Sequence, residues 1–300
     1  MTLKEALGKN TILSTISPST QNTASNSREV LWLLEKATGQ TSTELLLANE
    51  DTELSPKISE GFLHMLGERR KAVPLQYILG EWDFMGITIK CRPGVLIPRR
   101  DTEILAEETI KFLRNLHPKI SDRPKILDMC TGSGCVGIAL AAFCPDVYVT
   151  GADISDEAIK LARENAAINN LENRVSFIQS DLFENVTGRC FNCITANPPY
   201  IPTAELSSLP EEVQKEPVLA LDGGPDGLDF YRAILLACEK FLLPGGRLFM
   251  EIGDNMGKVV SEMFRSFGFR AVVIVKDLES RDRVVQGTRS AVRENIINNV

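Results

Sequence analysis

The chain has 300 residues, 43% of them hydrophobic, and carries 33 Lys and Arg against 40 Asp and Glu, a formal charge of −7. That length suits one large core with a smaller accessory domain. The acidic balance argues against a general affinity for polyanions, whose binding draws on Lys and Arg displacing counterions.

The opening MTLKEALGKN carries charges where a signal peptide has its apolar stretch, and no run of about 18 apolar residues follows. A soluble cytoplasmic protein without membrane association is expected. Residues 1–75 read as a small helical domain. Arg28 to Thr38 has Val30, Leu31, Leu33, Leu34 and Ala37 at roughly helical period with Gly39 as a stop, and further helices follow Ser42 and Ser59. Their apolar stripe reads as core, with only the outer face open to a partner. The stretches TISPSTQNTASNS and EDTELSP read as loops.

Residues 76–98 change character, with Gly-bounded aromatic and β-branched pieces that predict a hairpin linker. A helix follows, for which Asp101 or Thr102 is the expected N-cap and Glu103 an acidic first-turn residue. Residues 99–300 then alternate strand-like and helix-like runs from KILDMC to RVVQGT, which implies βαβ units, a parallel sheet and an α/β fold. The last two strands are too close for a helical crossover, so the final one is expected to be antiparallel.

Strand KILDMC runs into Thr131-Gly132-Ser133-Gly134 and a helix, where an open α/β sheet binds ligands. Asp153, about twenty residues on, stands where an acid hydrogen-bonds ribose hydroxyls. Asp181 is a candidate acceptor for an adenine amino group, with Leu182 lining the ring pocket. A glycine loop alone is weak, since many strand-to-helix turns need Gly for geometry, but loop, Asp153 and Asp181 together point to a nucleoside cofactor. GSGCVG also fits the dinucleotide pattern, so the loop leaves the cofactor open.

Asn197-Pro198-Pro199-Tyr200 narrows it. The Asn197 amide oxygen and the Pro198 carbonyl are two acceptors stiffened by proline, able to receive both hydrogens of a planar NH₂ while Tyr200 packs on its flat face. An ordinary turn is the alternative. The CxxC at Cys190 and Cys193 points to opposite faces of a strand, the seven cysteines form no regular framework, and only His64 and His117 are present, so no metal site is expected. Glu211 and Glu212 read as a solvated face.

Asp128-Met129-Cys130-Thr131-Gly132-Ser133-Gly134 together with Asn197-Pro198-Pro199-Tyr200 resembles class I S-adenosylmethionine-dependent methyltransferases acting on nitrogen. VLIPRRDTEILAE (95–107) and EPVLALDGGPDGLDFYRAI (216–234) are similar to the PrmC or HemK family of protein-(glutamine-N5) methyltransferases of peptide chain release factors, over nearly the whole chain. The resemblance implies a Rossmann-like sheet of seven strands, the last antiparallel, with the methyltransferase domain at 99–300 and an N-terminal docking domain. It implies S-adenosyl-L-methionine as cofactor and, as substrate, the Gln in the Gly-Gly-Gln loop of class I release factors, with protein methylation supporting translation termination. Carried over by position, the resemblance implies that Cys130, Thr131, Gly132, Ser133 and Gly134 would meet the methionine part, Asp153 the ribose, and Asp181 and Leu182 the adenine side.

The resemblance further implies that Asn197, Pro198, Pro199 and Tyr200 hold the glutamine amide, with Asn197 also at the cofactor. Arg99, Thr102 and Glu103 are further candidates at the substrate, a capped helix start being the alternative for the last two. A monomer without direct nucleic-acid contact is expected. The chain departs from the family pattern at Cys130, at Arg100 and in residues 14–27. Ribosomal-protein glutamine methylation, methylation of a nucleic-acid exocyclic amine, and binding without catalysis are the competing readings.

Overall fold

The computed structural model describes residues 1–8, 23–116, 123–186 and 190–290. They form two compact units, one of residues Met1–Trp82, Cys91–Pro93 and Ser208–Glu216, the other of Asp83–Lys90, Gly94–Ser207 and Pro217–Val300.

The first unit is helical. Helices α1 (Leu3–Leu7), α2 (Thr23–Thr38), α3 (Ser42–Leu47), α4 (Pro56–Arg70) and α5 (Leu75–Leu79) enclose Leu3, Val30, Leu33, Leu34, Phe62 and Leu66. Helix α1 was not among the sequence expectations, although Thr2 and Glu5 form a capping box, a legible start signal. Helix α2 begins inside the stretch read as a loop, of which residues 15–22 lie outside the described residues. The buried Arg69 is held by Glu29 and Glu212, each at 2.8 Å, so Glu212 is an ion-pair partner rather than part of a solvated face.

Strands β1 (Glu81–Phe84) and β2 (Ile87–Lys90) make the expected hairpin, but α5 occupies the start of the stretch expected to be linker. Helix α6 spans Arg100–Arg114 with Arg99 at the N-cap and no side-chain cap bond. The expected cap at Asp101 or Thr102 is thus corrected: both lie in the first turn, and Thr102 is buried.

Beyond α6 come β3 (Lys125–Met129), α7 (Cys135–Phe143), β4 (Tyr148–Asp153), α8 (Asp156–Ile168), β5 (Val175–Gln179), β6 (Phe191–Ala196), α9 (Asp229–Cys238), β7 (Leu242–Glu251), α10 (Gly257–Ser266), β8 (Phe269–Lys276) and β9 (Asp282–Arg289). The seven-stranded sheet has the order β5-β4-β3-β6-β7-β9-β8, parallel except where β9 pairs antiparallel with β7 and β8. The expected α/β fold with an antiparallel last strand is therefore present.

Both faces are covered, one by a cluster including Leu105, Ile110, Ile138 and Ile159, the other by one including Tyr231, Ile234, Val260 and Phe264. Coverage on both sides explains why β3 and β6 are nearly continuous buried runs rather than alternating ones. The chain order turns at β3, which has β4 on one side and β6 on the other, so the crevice outside their carboxyl ends is a topological switch point. Cys190 is exposed just before β6 while Cys193 is buried in it. Among the described residues no helix is long and apolar enough to cross a membrane.

Candidate active site

A cavity of about 330 Å³ opens at this switch point, lined among others by Cys130, Gly132, Asp153, Asp181, Leu182 and Asn197. That volume lies within the range of small-molecule sites. A smaller neighbouring cavity brings Arg99, Thr102, Thr131 and Ser133 together with Cys130, Gly132 and Asn197.

The loop after β3 turns through positive φ at Cys130 (56°), Gly132 (54°) and Gly134 (81°). A side chain on Gly132 would meet nothing within 4 Å, so this glycine leaves open space. Gly134 lines neither cavity: a Cβ there would crowd Ala162, Phe177 and Ile138 at 3.0–3.2 Å, so it serves close helix–sheet packing. Gly137, the last glycine of GSGCVG, has the same duty against Val149, and its N–H donates to Asp128 at 3.1 Å. The sequence match to a dinucleotide loop is accounted for by packing here.

Asp153 ends β4. Its Oδ2 accepts from Gly132 N at 2.8 Å and its Oδ1 from Ser155 N at 2.9 Å. Burial pushes its carboxyl above the ordinary value against these donors. A carboxylate offers about four acceptor positions, so capacity remains toward the cavity. Asp181 lies in the exposed turn past β5 rather than at its last residue, with Leu182 beside it.

Asn197 follows the last residue of β6 and is half-buried. Its Nδ2 donates to Thr102 Oγ1 at 3.2 Å, and no donor among the described residues reaches its Oδ1. Pro199 also lines the larger cavity, whereas Pro198 and Tyr200 line neither. Tyr200 packs against the cluster around Tyr231, and burial foremost pushes its hydroxyl well above the usual range.

A glycine turn clamps the backbone at Tyr200 and Ile201. A Cβ on Gly223 would lie 2.7 Å from Tyr200 Cα, and one on Gly227 would lie 2.4 Å from the Tyr200 carbonyl oxygen. Ile201 N donates to Leu221 O at 2.9 Å, and Gly223 N donates back to Ile201 O at 2.8 Å. The stretch LDGGPDG is thus the backbone support of the amide motif. Of the other candidates, Glu103 turns away, its Oε1 accepting from Met85 N at 3.3 Å in the hairpin, and Arg100 is exposed.

The region from residue 104 to 212 matches the Methyltransferase small domain, and residues 19–80 match the PrmC N-terminal domain. A release factor glutamine methyltransferase of Thermodesulfovibrio yellowstonii is 42% identical over 81% of this chain and 86% of its own length. One of Geobacter sulfurreducens is 40% identical over 86% of this chain and 88% of its own. The chain belongs to the release factor glutamine methyltransferases. As a member of that family it is an enzyme, a methyltransferase. The crystal structure of a methyltransferase from Pyrococcus furiosus, 19% identical, covers 69% of this chain and 91% of its own with a TM-score of 0.50, a likeness of fold.

Two buried acids at this site have no role in the sequence reading, where Asp128 is only the first residue of the loop motif and Glu251 goes unnamed. Asp128, at the carboxyl half of β3, accepts from Thr131 Oγ1 at 2.5 Å, Thr195 Oγ1 at 3.0 Å and Gly137 N. Glu251, the last residue of β7, accepts from the Thr102 hydroxyl, and its Oε2 has no partner among the described residues. The signal that singled out Asp153, an acid ending a strand at this edge, applies to Glu251 as well.

Proposed function

We propose that the protein transfers the methyl group of S-adenosylmethionine to the side-chain amide nitrogen of the glutamine in the Gly-Gly-Gln loop of class I peptide chain release factors, in support of translation termination. Family membership supports the substrate class. The observation that carries the chemistry is the state of Asn197, which lines the larger cavity: its NH₂ is engaged by Thr102 while its oxygen is left to accept.

The residues present fit the cofactor. Open space over Gly132 admits close approach of a ligand to the backbone, and the spare acceptor positions of Asp153 suit a pair of ribose hydroxyls. Asp181 and Leu182 would face the adenine, and Cys130 and Thr131 the methionine part. When bound, the cofactor supplies a methyl on a positively charged sulfur, which leaves as neutral thioether while the methylated nitrogen sheds one proton to water.

An amide nitrogen is a poor nucleophile because its lone pair is delocalised into the carbonyl. The chain must therefore supply alignment, which for two fixed partners contributes on the order of 7–11 kcal/mol. The Asn197 oxygen accepts an amide hydrogen, and this bond strengthens as the nitrogen turns positive and tetrahedral, a stabilisation specific to the transition state. The stiff prolines hold that oxygen in place, and no step is assigned to a general base.

Mass spectrometry of a full-length release factor incubated with the protein and isotopically labelled S-adenosylmethionine tests the reading. One methyl on the glutamine of Gly-Gly-Gln is expected. Transfer only to a ribosomal protein or a nucleic acid in parallel incubations, or to no acceptor at all, would overturn it.

A further inference from the structure

An asparagine amide has two nearly isosteric ends of opposite hydrogen-bonding sense. A clamp for an NH₂ group works only if Asn197 Oδ1 faces the acceptor substrate. Thr102 alone does not settle this, because a hydroxyl donates as readily as it accepts. Behind Thr102, however, stands Glu251, only 2% exposed, whose carboxylate receives the Thr102 hydroxyl proton.

An ionised carboxylate only accepts. With its proton committed to Glu251, the Thr102 oxygen has only lone pairs to offer, and these select the NH₂ end of Asn197, as observed at 3.2 Å. Reversing Asn197 would draw the Thr102 proton away and strip a buried carboxylate of the one side-chain donor it has among the described residues, a costly exchange.

We propose that Glu251, acting through the Thr102 hydroxyl, fixes the Asn197 amide with its oxygen toward the methyl acceptor; Glu251 and Thr102 are positioning residues. The inference deepens the glutamine-methylation reading and rests on it for its catalytic consequence. The orientation itself is a property of the free protein.

Burial foremost, and the Asp101 charge, push Glu251 up to about 7, while the Thr102 bond, Arg283 and Arg99 oppose the rise. The other titratable groups around it are Cys135, Tyr200 and Tyr231, all pushed up by burial and so neutral near pH 7. Protonation of Glu251 weakens its claim on the Thr102 proton, because a neutral carboxyl can donate to the Thr102 oxygen as well as accept from it, and so weakens the bias on Asn197.

The first readout needs no cofactor or substrate. In the full-length ¹⁵N-labelled protein, the Asn197 side-chain NH₂ signals, assigned by their loss in Asn197→Ala, should shift as pH passes through about 7. That shift should vanish in Glu251→Gln and in Thr102→Val. A shift that persists in Glu251→Gln, or none in the wild type, overturns the relay.

The second readout is kinetic. Thr102→Val should lower kcat by up to about 100-fold without weakening cofactor binding, and Thr102→Ser should restore most of it. Wild-type kcat in folded Thr102→Val would overturn the proposal. If the wild type methylates no release factor, the functional reading fails, yet the magnetic-resonance titration still decides the relay.

Discussion

Two buried carboxylates stand at the same edge of one sheet and do different work. Asp128 at β3 has both oxygens engaged by three donors from Thr131, Thr195 and Gly137. Among the described residues, Glu251 at β7 has one side-chain donor and an oxygen without a partner. Burial is the leading cause in both, raising Asp128 to about 6 and Glu251 to about 7. A fully satisfied acid ties a loop in one shape, whereas an acid with a single donor can control what that donor does next. On the proposed reading, Asp128 anchors the cofactor loop and Glu251 is the orienting charge of the amide site.

The largest expected effect lies at the amide site. Asn197→Ala should lower kcat by about 10²–10³-fold, the scale of losing one preorganised transition-state hydrogen bond, with cofactor affinity nearly unchanged. Single-turnover transfer and calorimetric cofactor titration together read this, and a large loss of affinity would instead make Asn197 chiefly a cofactor ligand. At the other end, Asp128→Ala should cost roughly 3–4 kcal/mol of stability, seen as a lowered urea midpoint, because three donors lose their acceptor in a buried site. A variant as stable as the wild type would remove the contrast.

The sign of the pH dependence sharpens the same comparison. Glu251 binds its proton more tightly folded than unfolded, with a value raised from 4.5 to about 7. The folded state then holds more protons in that window, so its contribution to stability falls as pH rises from about 4.5 to about 7. At about 1.4 kcal/mol per pH unit the upper bound is roughly 3–4 kcal/mol. Urea titrations at pH 5 and 7.5 should show a smaller loss for Glu251→Gln than for the wild type; an equal loss would show that Glu251 does not titrate there. Smallest is Thr195→Val, which removes one of the three Asp128 donors and should cost about 1 kcal/mol without a change in kcat.

Much of this was legible in the chain. The alternation from residue 125 onward fixes the parallel sheet, and the Gly132 loop, Asp153 and Asn197 are found around one cavity because strand ends of a doubly wound sheet must share an edge. Other features were not readable locally. Thr102 and Glu251 are far apart in sequence and meet only because α6 packs over β7, and a Thr at a helix start already has an adequate capping explanation. Gly134 and Gly137 look like ligand glycines in sequence, but what they avoid is Ala162, Phe177 and Val149. The glycines of LDGGPDG likewise make sense only against the Tyr200 backbone.

The central claim is that Asn197 offers its oxygen to a glutamine amide beside the methyl donor. It is tested most directly by a crystal structure of the protein with S-adenosylhomocysteine and a release factor. The account predicts the glutamine nitrogen at hydrogen-bond distance, about 3 Å, from Asn197 Oδ1, with Nδ2 still on Thr102. A glutamine amide held elsewhere, or an Asn197 turned with its NH₂ toward the substrate, would contradict it.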